Sequence, residues 1–251
     1  MPDVLSAREG FTGGREFVAS HTVKVMKRSP KAAQEIRKSS EDSAARFVPP
    51  GGSLADLKRA AATCKGCDLW KNATQTVFGE GTSRATIMLV GEQPGDQEDL
   101  KGRPFVGPAG RILDDALAEA GIDRTQVYVT NVVKHFKWAA AERGKKRIHK
   151  KPRYFEIHAC RPWLDSEIQA VRPQVVVCMG ATAAQALLGK TFSVTRQHGQ
   201  LVESSLAPFA TATIHPSAIL RAPTSEMRHQ QMRTFVNDLK QVAQLAMRRA
   251  A

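Results

Sequence analysis

The sequence GEQPGDQEDLKGRPFVGPAG, residues 91–110, decides the fold of this chain. It follows an apolar run at 85–90 that predicts one buried strand, and it precedes a helical pattern at 111–120. We interpret it as a long loop at the carboxyl end of a strand, where open α/β sheets bind ligands. Its glycines let the backbone approach a flat ligand, and Glu92 and Gln93 lie at the strand tip. The alternative is an acidic surface loop built of turn residues.

Further strands are predicted from apolar runs at residues 126–133, 174–180 and 209–214. The continuous hydrophobicity of 174–180 is typical of a parallel strand that is covered on both faces, and it assigns Cys178 to the core. Helical patterns lie between and after these runs, and one of them is predicted to begin at Cys160. Strands that alternate with helices predict a three-layer α/β/α sandwich around a mostly parallel sheet.

The composition fits one sizeable domain with an appendage. The chain has 251 residues, of which 42% are apolar, enough for a packed core. Residues 1–46 are rich in Lys, Arg, Ser and Gly and are predicted to form a basic arm or linker, whereas residues 47–251 form the domain. There is no apolar run of about 18 residues and no signal peptide, so we expect no membrane contact and a cytoplasmic location.

Positive charge dominates the chain and is concentrated in one segment. Lys and Arg number 37 against 24 acidic residues, a formal charge of +13, which favours binding to polyanions. Residues 134–153 hold nine of these basic residues against Glu142 alone, with Phe136 and Trp138 near the start. Basic residues interleaved with aromatic rings are typical of a nucleic-acid contact. The alternative is a charged loop that is merely solvated.

The pair Cys64 and Cys67 forms a CxxC motif that can hold one metal centre from a single turn. The alternative is two unligated thiols. Among the candidates for the two further ligands, His135 follows a predicted strand and Cys160 begins a predicted helix, so these two could converge on the motif. Three cysteines and one histidine would suit zinc as well as iron.

Several motifs together resemble one known family. The segments GEQPGDQED and GRPFVGPAG resemble the opening motifs of the iron–sulfur uracil-DNA glycosylases, and Gln93 with the segment GKKRIHK resembles their UdgX branch. The resemblance extends from about residue 47 to the C-terminal helix. It implies a [4Fe–4S] cluster held by Cys64, Cys67, His135 and Cys160, in which His135 stands where familiar members have a cysteine. It also implies a DNA-repair enzyme that acts, as a monomer, on uracil-containing DNA, preferably single-stranded.

The resemblance further implies how uracil is bound and released. Phe105 would stack on the uracil ring, and Asn131 would read its O4/N3–H edge. His215, in the segment HPSAIL, would donate to O2 as negative charge develops on the base. Each residue also has an ordinary structural explanation: Phe105 as a core residue, Asn131 as a strand-end cap, His215 as a turn histidine.

On the sugar side, the resemblance assigns Glu92 to stabilising positive charge, Gln93 to lining the pocket and Arg147 to contacting substrate. It also implies that His149 attacks the sugar carbon C1′ and stays bonded to it. Neighbouring cations such as Arg147 and Lys150 are expected to keep His149 neutral and therefore nucleophilic. Two alternatives remain: a glycosylase in which water completes the reaction and His149 only contacts DNA, and a non-catalytic, metal-stapled nucleic-acid-binding module.

Overall fold

The computed structural model describes residues 43–141 and 147–247. Most of the predicted N-terminal arm, residues 1–42, lies outside the described residues. Its last residues belong to the domain, because a 3₁₀ helix at Ala44–Phe47 packs on the core and Ala44 is buried. Its backbone lies against Gly66, where a β-carbon would come within 2.6 Å of the Ala44 nitrogen. Residues 44–47 therefore pack against the domain, which was predicted to begin at residue 47.

A parallel sheet forms the centre of the domain, as the sequence predicted. The strands are β1 Ile87–Gly91, β2 Val127–Asn131, β3 Trp138–Ala140, β4 Arg147–His149, β5 Val175–Met179 and β6 Phe209–Thr213. The sheet has the order β2-β1-β5-β6, and every neighbouring pair in it is parallel. All residues of β1, β2 and β5 are buried, because helices cover both faces of the sheet.

Helices cover the two faces and complete the three-layer sandwich, which confirms the predicted fold class. They are α1 Leu54–Ala61, α2 Asp96–Lys101, α3 Pro108–Glu119, α4 Tyr154–Val171, α5 Ala181–Leu187, α6 Val194–Gln197, α7 Pro216–Leu220 and α8 Ser225–Met247. Alternate residues of β1 point to opposite layers: Met88 packs in the core that contains α4, and Leu89 in the core that contains α3 and α8. Within the described ranges, no helix is both long and apolar enough to cross a membrane.

Two elements differ from the sequence-based expectation. The stretch 91–110 is not a continuous loop, because it contains α2 and the first turn of α3. The helix predicted to begin at Cys160 instead begins at Tyr154, where the Glu156 carboxylate accepts from the Arg153 backbone N–H over 2.5 Å. Cys160 therefore lies inside α4 rather than at its start, and Pro162 is accommodated in the helix interior.

The basic segment also contains regular structure that the sequence did not predict. Strands β3 and β4 pair antiparallel, with Trp138 opposite His149 and Ala140 opposite Arg147. The connecting residues 142–146, which hold three of the segment's basic residues, lie outside the described residues. This hairpin fixes the position of His149 relative to the sheet.

Candidate active site

A cavity of about 770 Å³ opens where the carboxyl ends of β1 and β5 meet. The chain leaves β1 toward β2 and leaves β5 toward β6, on the opposite side, so this is the point of the sheet at which ligands are expected. Six of the predicted site residues line the cavity: Glu92, Gln93, Phe105, Asn131, His149 and His215. The sequence predicted these residues at the ends of different elements, and the sheet brings them to one space.

The inner part of the cavity is shaped around Asn131. Its side-chain oxygen Oδ1 is buried and has no hydrogen-bond partner within the described part of the chain. A β-carbon on Gly91 would come within 2.4 Å of this oxygen and 2.8 Å of the Phe105 ring. The glycine therefore allows an amide and an aromatic ring to share one narrow space. A buried acceptor without a partner is costly unless a ligand donates to it.

Phe105 reaches this space through an unusual backbone conformation. Its φ of 55° lies in the left-handed region, which bulky residues rarely adopt. The Phe105 carbonyl lies directly against Gly110, where a β-carbon would come within 1.8 Å of the oxygen. The ring lies 6.1 Å from that of His215, centroid to centroid, with the planes 31° apart. Strain of this kind is typical of a functional site.

The hydrogen bonds of His215 define its tautomer. The Ser217 backbone N–H donates to Nδ1 over 3.1 Å, so the ring proton is on Nε2. That nitrogen would lie 3.5 Å from a β-carbon on Gly91 and therefore faces the space beside Asn131. Burial, and then the positive charges of Arg221 and of His149 when it is protonated, lowers the pKa of His215 to about 4. His215 is thus a neutral hydrogen-bond donor at physiological pH.

Gln93 fixes the tautomer of His149 through a hydrogen bond. The Gln93 oxygen accepts from the Lys137 N–H over 3.2 Å, and its amide nitrogen donates to the Lys150 carbonyl over 3.1 Å. These contacts fix the orientation of the amide and direct its nitrogen at His149 Nε2, 2.8 Å away. Because Gln93 donates, His149 Nε2 is the nitrogen with the lone pair and Nδ1 carries the proton.

Partial burial of the His149 ring, whose side chain is still 50% exposed, is the main reason that its pKa is lowered. Glu92 opposes this by raising the pKa, and Arg221 lowers it further. The expected outcome, a neutral histidine, agrees with this direction, but the predicted cause was wrong. The neighbouring cation that acts is Arg221 from the end of α7, not Arg147 or Lys150 of the basic segment.

Glu92 lies between the histidine and the sheet. Its Oε1 is 3.5 Å from His149 Nε2, and its Oε2 accepts a short hydrogen bond from the Thr182 hydroxyl. The Glu92 carbonyl accepts from the Val133 N–H over 3.1 Å, which extends the pairing of β1 with β2 beyond the strand ends. The carboxylate is therefore held in place at the cavity wall. Thr182 and Arg221 were not predicted as site residues. The available signals were their positions: Thr182 lies two residues after Gly180, and Arg221 directly follows the HPSAIL segment.

Arg147, which was predicted to contact substrate, does not line the cavity. Its guanidinium donates to Asp96 Oδ1 over 2.6 Å and to Asp99 Oδ2 over 2.5 Å. It also lies over the rings of Phe136 and Trp138, at 5.3 and 5.6 Å. These contacts fasten β4, and with it His149, to helix α2. They also explain the acidic residues of the 91–110 stretch.

Much of the basic segment is neutralised internally. Lys134 is buried against Glu167, with 2.5 Å between Nζ and Oε2, and Lys137 pairs with Glu156 over 2.8 Å. Phe136 is buried as well, so it is not available to stack on a nucleotide. The sequence pattern of the segment did not reveal these pairings, because the acidic partners of Lys134 and Lys137 lie on helix α4, 33 and 19 residues away. Among the described residues of the segment, Lys150, Lys151 and Arg153 remain exposed, and Arg153 is paired with Glu156.

The chain matches a known protein family. A family model described as the uracil DNA glycosylase superfamily matches residues 78–240, which include all of the cavity residues discussed above. The chain belongs to the uracil DNA glycosylase superfamily.

Several curated relatives extend this match. The chain is similar to the type-4 uracil-DNA glycosylase of Archaeoglobus fulgidus, with 34% identity over 200 residues, 77% of this chain and 93% of the relative. The corresponding protein of Sulfurisphaera tokodaii is 35% identical over 204 residues, 77% of this chain and 85% of the relative. That of Thermotoga maritima is 38% identical over 166 residues, 66% of this chain and 82% of the relative.

The predicted metal ligands do not line the cavity. Cys64, Cys67 and Cys160 are buried in one core cluster and interact electrostatically with one another. Cys64 Sγ accepts from the Trp163 indole N–H over 3.2 Å, and Cys160 Sγ from the Lys134 N–H over 3.3 Å. Burial raises the pKa of Cys67 to about 11 and that of Cys160 to about 12, so both are thiols without a metal.

His135 is in the tautomer expected of a metal ligand, with its ring proton on Nε2. The Thr76 hydroxyl gives its only proton to the Ala61 carbonyl over 2.9 Å, so it accepts from His135 Nε2–H over 2.8 Å. Nδ1 is left with a free lone pair, as in histidines oriented for metal binding. No three acidic, cysteine or histidine side chains in the described ranges converge on one ion.

Proposed function

We propose that this protein is a DNA-repair glycosylase of the UdgX type, which excises uracil from DNA and becomes covalently linked through His149 to C1′ of the resulting sugar. One observation carries this proposal. A neutral histidine, with its Nε2 lone pair held by Gln93 and 3.5 Å from the Glu92 carboxylate, stands at a cavity whose inner end can bind a pyrimidine. Names of relatives support the glycosylase activity, and this histidine supports the covalent step.

Recognition of uracil follows from the inner end of the cavity. The Phe105 ring offers a stacking surface, and the unpaired Asn131 oxygen accepts from uracil N3–H. His215 Nε2–H donates to uracil O2. As the C1′–N1 bond breaks, its electron pair moves onto the base, and this neutral donor stabilises the negative charge in a site largely closed to water. Neutral His215 donates a hydrogen bond without having to lose its proton.

Capture of the sugar uses the other end of the cavity. The Glu92 carboxylate stabilises positive charge on the sugar after the base has left. The Nε2 lone pair of His149 then moves from its hydrogen bond with Gln93 to form the C1′–Nε2 bond. The Nδ1 proton of the resulting imidazolium is released, and the uracil anion takes up one proton. One histidine and one deoxyuridine thus yield one histidine–sugar adduct and one neutral uracil.

Single-stranded DNA is the proposed preferred substrate, bound by a monomer. An unpaired deoxyuridine enters the cavity without the cost of breaking a base pair. Titration of the protein with matched single- and double-stranded uracil oligonucleotides tests this preference, and sedimentation of the adduct tests its stoichiometry. Faster capture from duplex, or two protein chains per adduct, would contradict it.

We also propose that Cys64, Cys67, His135 and Cys160 hold a [4Fe–4S] cluster. Three buried cysteines in one core cluster, and a histidine whose ring proton is on Nε2, supply the ligand types, and the resemblance of the motifs favours iron over zinc. When bound, such a group would connect the CxxC turn, His135 after β2 and helix α4. Its role is structural, and the chain's own residues perform the chemistry. Anaerobically purified protein should contain iron and sulfide, and colourless protein that contains zinc without iron would overturn this assignment.

The covalent function is tested with a uracil-containing single-stranded oligonucleotide, a denaturing gel and intact mass spectrometry. The expected product resists detergent and heat, and its mass equals protein plus oligonucleotide minus uracil. His149→Ala should abolish it, whereas His229→Ala, which changes an exposed histidine on α8, should not. Uracil release with only unmodified polypeptide would instead indicate turnover with water. Absence of release would leave a nucleic-acid-binding module.

A further inference from the structure

A second groove lies next to the catalytic cavity. It has a volume of about 460 Å³ and runs between the first turns of α4 and the end of α5. Lys151 and Thr182 line both spaces, so the groove and the cavity share a wall. This shared rim is one path for a DNA strand that delivers a nucleotide into the cavity, and Lys151 lies only two residues beyond His149.

An exposed aromatic residue marks this groove. Tyr154, the first residue of α4, is 64% exposed although its ring is large and apolar. The ammonium of Lys190 lies 4.5 Å from the centre of the ring, and the His158 ring lies 6.0 Å away. Exposed rings beside cations are the usual platforms for bases of single-stranded nucleic acids.

The charge of the groove is also suited to a phosphate. Lys151, Arg161 and Lys190 line it, whereas none of its lining residues is acidic. Arg161 is already paired with Asp165 over 2.6 Å and donates to the Ala186 carbonyl. Lys151 and Lys190 have no ion pair within the described ranges, so their charges are available to a ligand.

We propose that this groove binds a nucleotide next to the target uracil, on one side of it, in single-stranded DNA. The base of that nucleotide stacks on Tyr154, and Lys190 and Lys151 contact the adjoining phosphates. The proposal rests on the proposed glycosylase function and adds a recognition site outside the catalytic cavity. It also gives a physical reason for a single-strand preference, because a paired and stacked neighbour cannot turn onto a protein ring.

Tyr154 has a matched control in the next residue. Phe155 is 50% exposed and has the Arg153 guanidinium 4.4 Å from its ring centre, yet it does not line the groove. Single-turnover rates are measured against protein concentration for wild type, Tyr154→Ala, Tyr154→Phe and Phe155→Ala. Loss of one stacked base, about 1–3 kcal/mol, corresponds to a rise of about fivefold or more in the half-saturating concentration. We expect this rise for Tyr154→Ala alone, with an unchanged maximal rate and rescue by Tyr154→Phe.

Fluorescence identifies the bound nucleotide directly. The base analogue 2-aminopurine is placed at single positions on each side of the uracil, and its quenching on binding is recorded. We expect one neighbouring position to be quenched by the wild type and by Phe155→Ala but not by Tyr154→Ala. Quenching at no position, or quenching unaffected by Tyr154→Ala, would overturn the inference.

Salt dependence tests the phosphate contact. Lys190→Ala should reduce the slope of log affinity against log salt by about 0.7, the value for one phosphate contact on a single strand. Lys240→Ala, which removes an exposed lysine on α8, is the control for total charge. Equal slopes for the two variants would count against the groove. Excision by the wild type in the same samples separates the two proposals. If the wild type releases no uracil, the proposed function is refuted. If it releases uracil normally but Tyr154→Ala and Lys190→Ala behave like their control variants, only the groove is refuted.

Discussion

The side-chain nitrogen of Gln93 donates to Nε2 of His149 across 2.8 Å. The two residues are 56 positions apart in the chain, and backbone contacts to Lys137 and Lys150 leave Gln93 one orientation. The same nitrogen of His149 lies 3.5 Å from Glu92. This hydrogen bond therefore keeps the proton of His149, the proposed nucleophile, on Nδ1 and the lone pair on Nε2, beside the cavity.

Replacing Gln93 should separate capture from excision. In Gln93→Ala, His149 loses the donor that selects its tautomer and holds its ring, so we expect adduct formation to slow by about tenfold or more, a loss of about 1.4 kcal/mol. Uracil release should change less, because the base-binding residues remain. Both are measured in single-turnover assays, with Gln97→Ala on the exposed side of α2 as control. Equal slowing of both steps would contradict this role.

Gly91→Ala should block the uracil site without unfolding the protein. The new β-carbon would come within 2.4 Å of the Asn131 oxygen and 2.8 Å of the Phe105 ring. Displacing these groups is expected to slow excision by about 100-fold. Gly121→Ala is the comparison, since it introduces strain at a φ of +72° but meets no atom within 4 Å. That variant should lose stability, by about 1 kcal/mol, and keep its excision rate.

Arg147→Met should release the hairpin that carries His149. Asp99 is fully buried, and the loss of its partner leaves an unpaired charge, which costs about 3–5 kcal/mol of unfolding free energy. Denaturant titration measures this loss, and adduct yield should fall with it. Arg103→Ala breaks an exposed pair with Glu80 and should cost about 0–1 kcal/mol. Similar losses in the two variants would show that Arg147 does not anchor the hairpin.

The buried pair Lys134 and Glu167 should couple stability to uracil recognition. Lys134 Nζ donates to the Asn131 carbonyl over 2.7 Å as well as pairing with Glu167. Lys134→Met alone should cost about 3–5 kcal/mol, whereas the double variant with Glu167→Gln should cost less than the sum of the single changes. Excision should slow in both variants, because the Asn131 backbone loses its support. Additive losses in the double variant would argue against a coupled pair.

The pH dependence of capture should reflect neutral histidines. The pKa values of His149 and His215 are lowered from 6.5, that of His215 to about 4. The neutral forms therefore persist as pH falls through 6.5, and the adduct rate should stay constant there and decline only at more acidic pH. Arg221→Met removes a cation that lowers both pKa values, so the decline should begin at higher pH. Arg228→Met, at an exposed position on α8, should leave the profile unchanged.

Local patterns were sufficient for the sheet and for most of the cavity. Consecutive apolar residues, typical of strands covered on both faces, identified β1 and β5, and a partly alternating, β-branched pattern identified β2. A strand was also predicted at 209–214, where β6 lies. The expectation that functional side chains follow strand ends then brought Glu92, Asn131 and His215 together, since parallel strands present their carboxyl ends at one edge. The resemblance supplied the identity of these residues, and their positions along the chain predicted only that they would meet.

The sequence by itself thus determined the layered fold and the edge of the sheet at which the site forms, because hydrophobic periodicity and strand direction are encoded locally. Only the tertiary structure decided the partners of Arg147, the tautomers of His149 and His215, the cation that acts on them and the groove beside Tyr154. Each of these depends on contacts between residues far apart in the chain. A local pattern shows that a residue is basic or polar, whereas its partner, and therefore its charge state and its role, is set by the packing of distant segments.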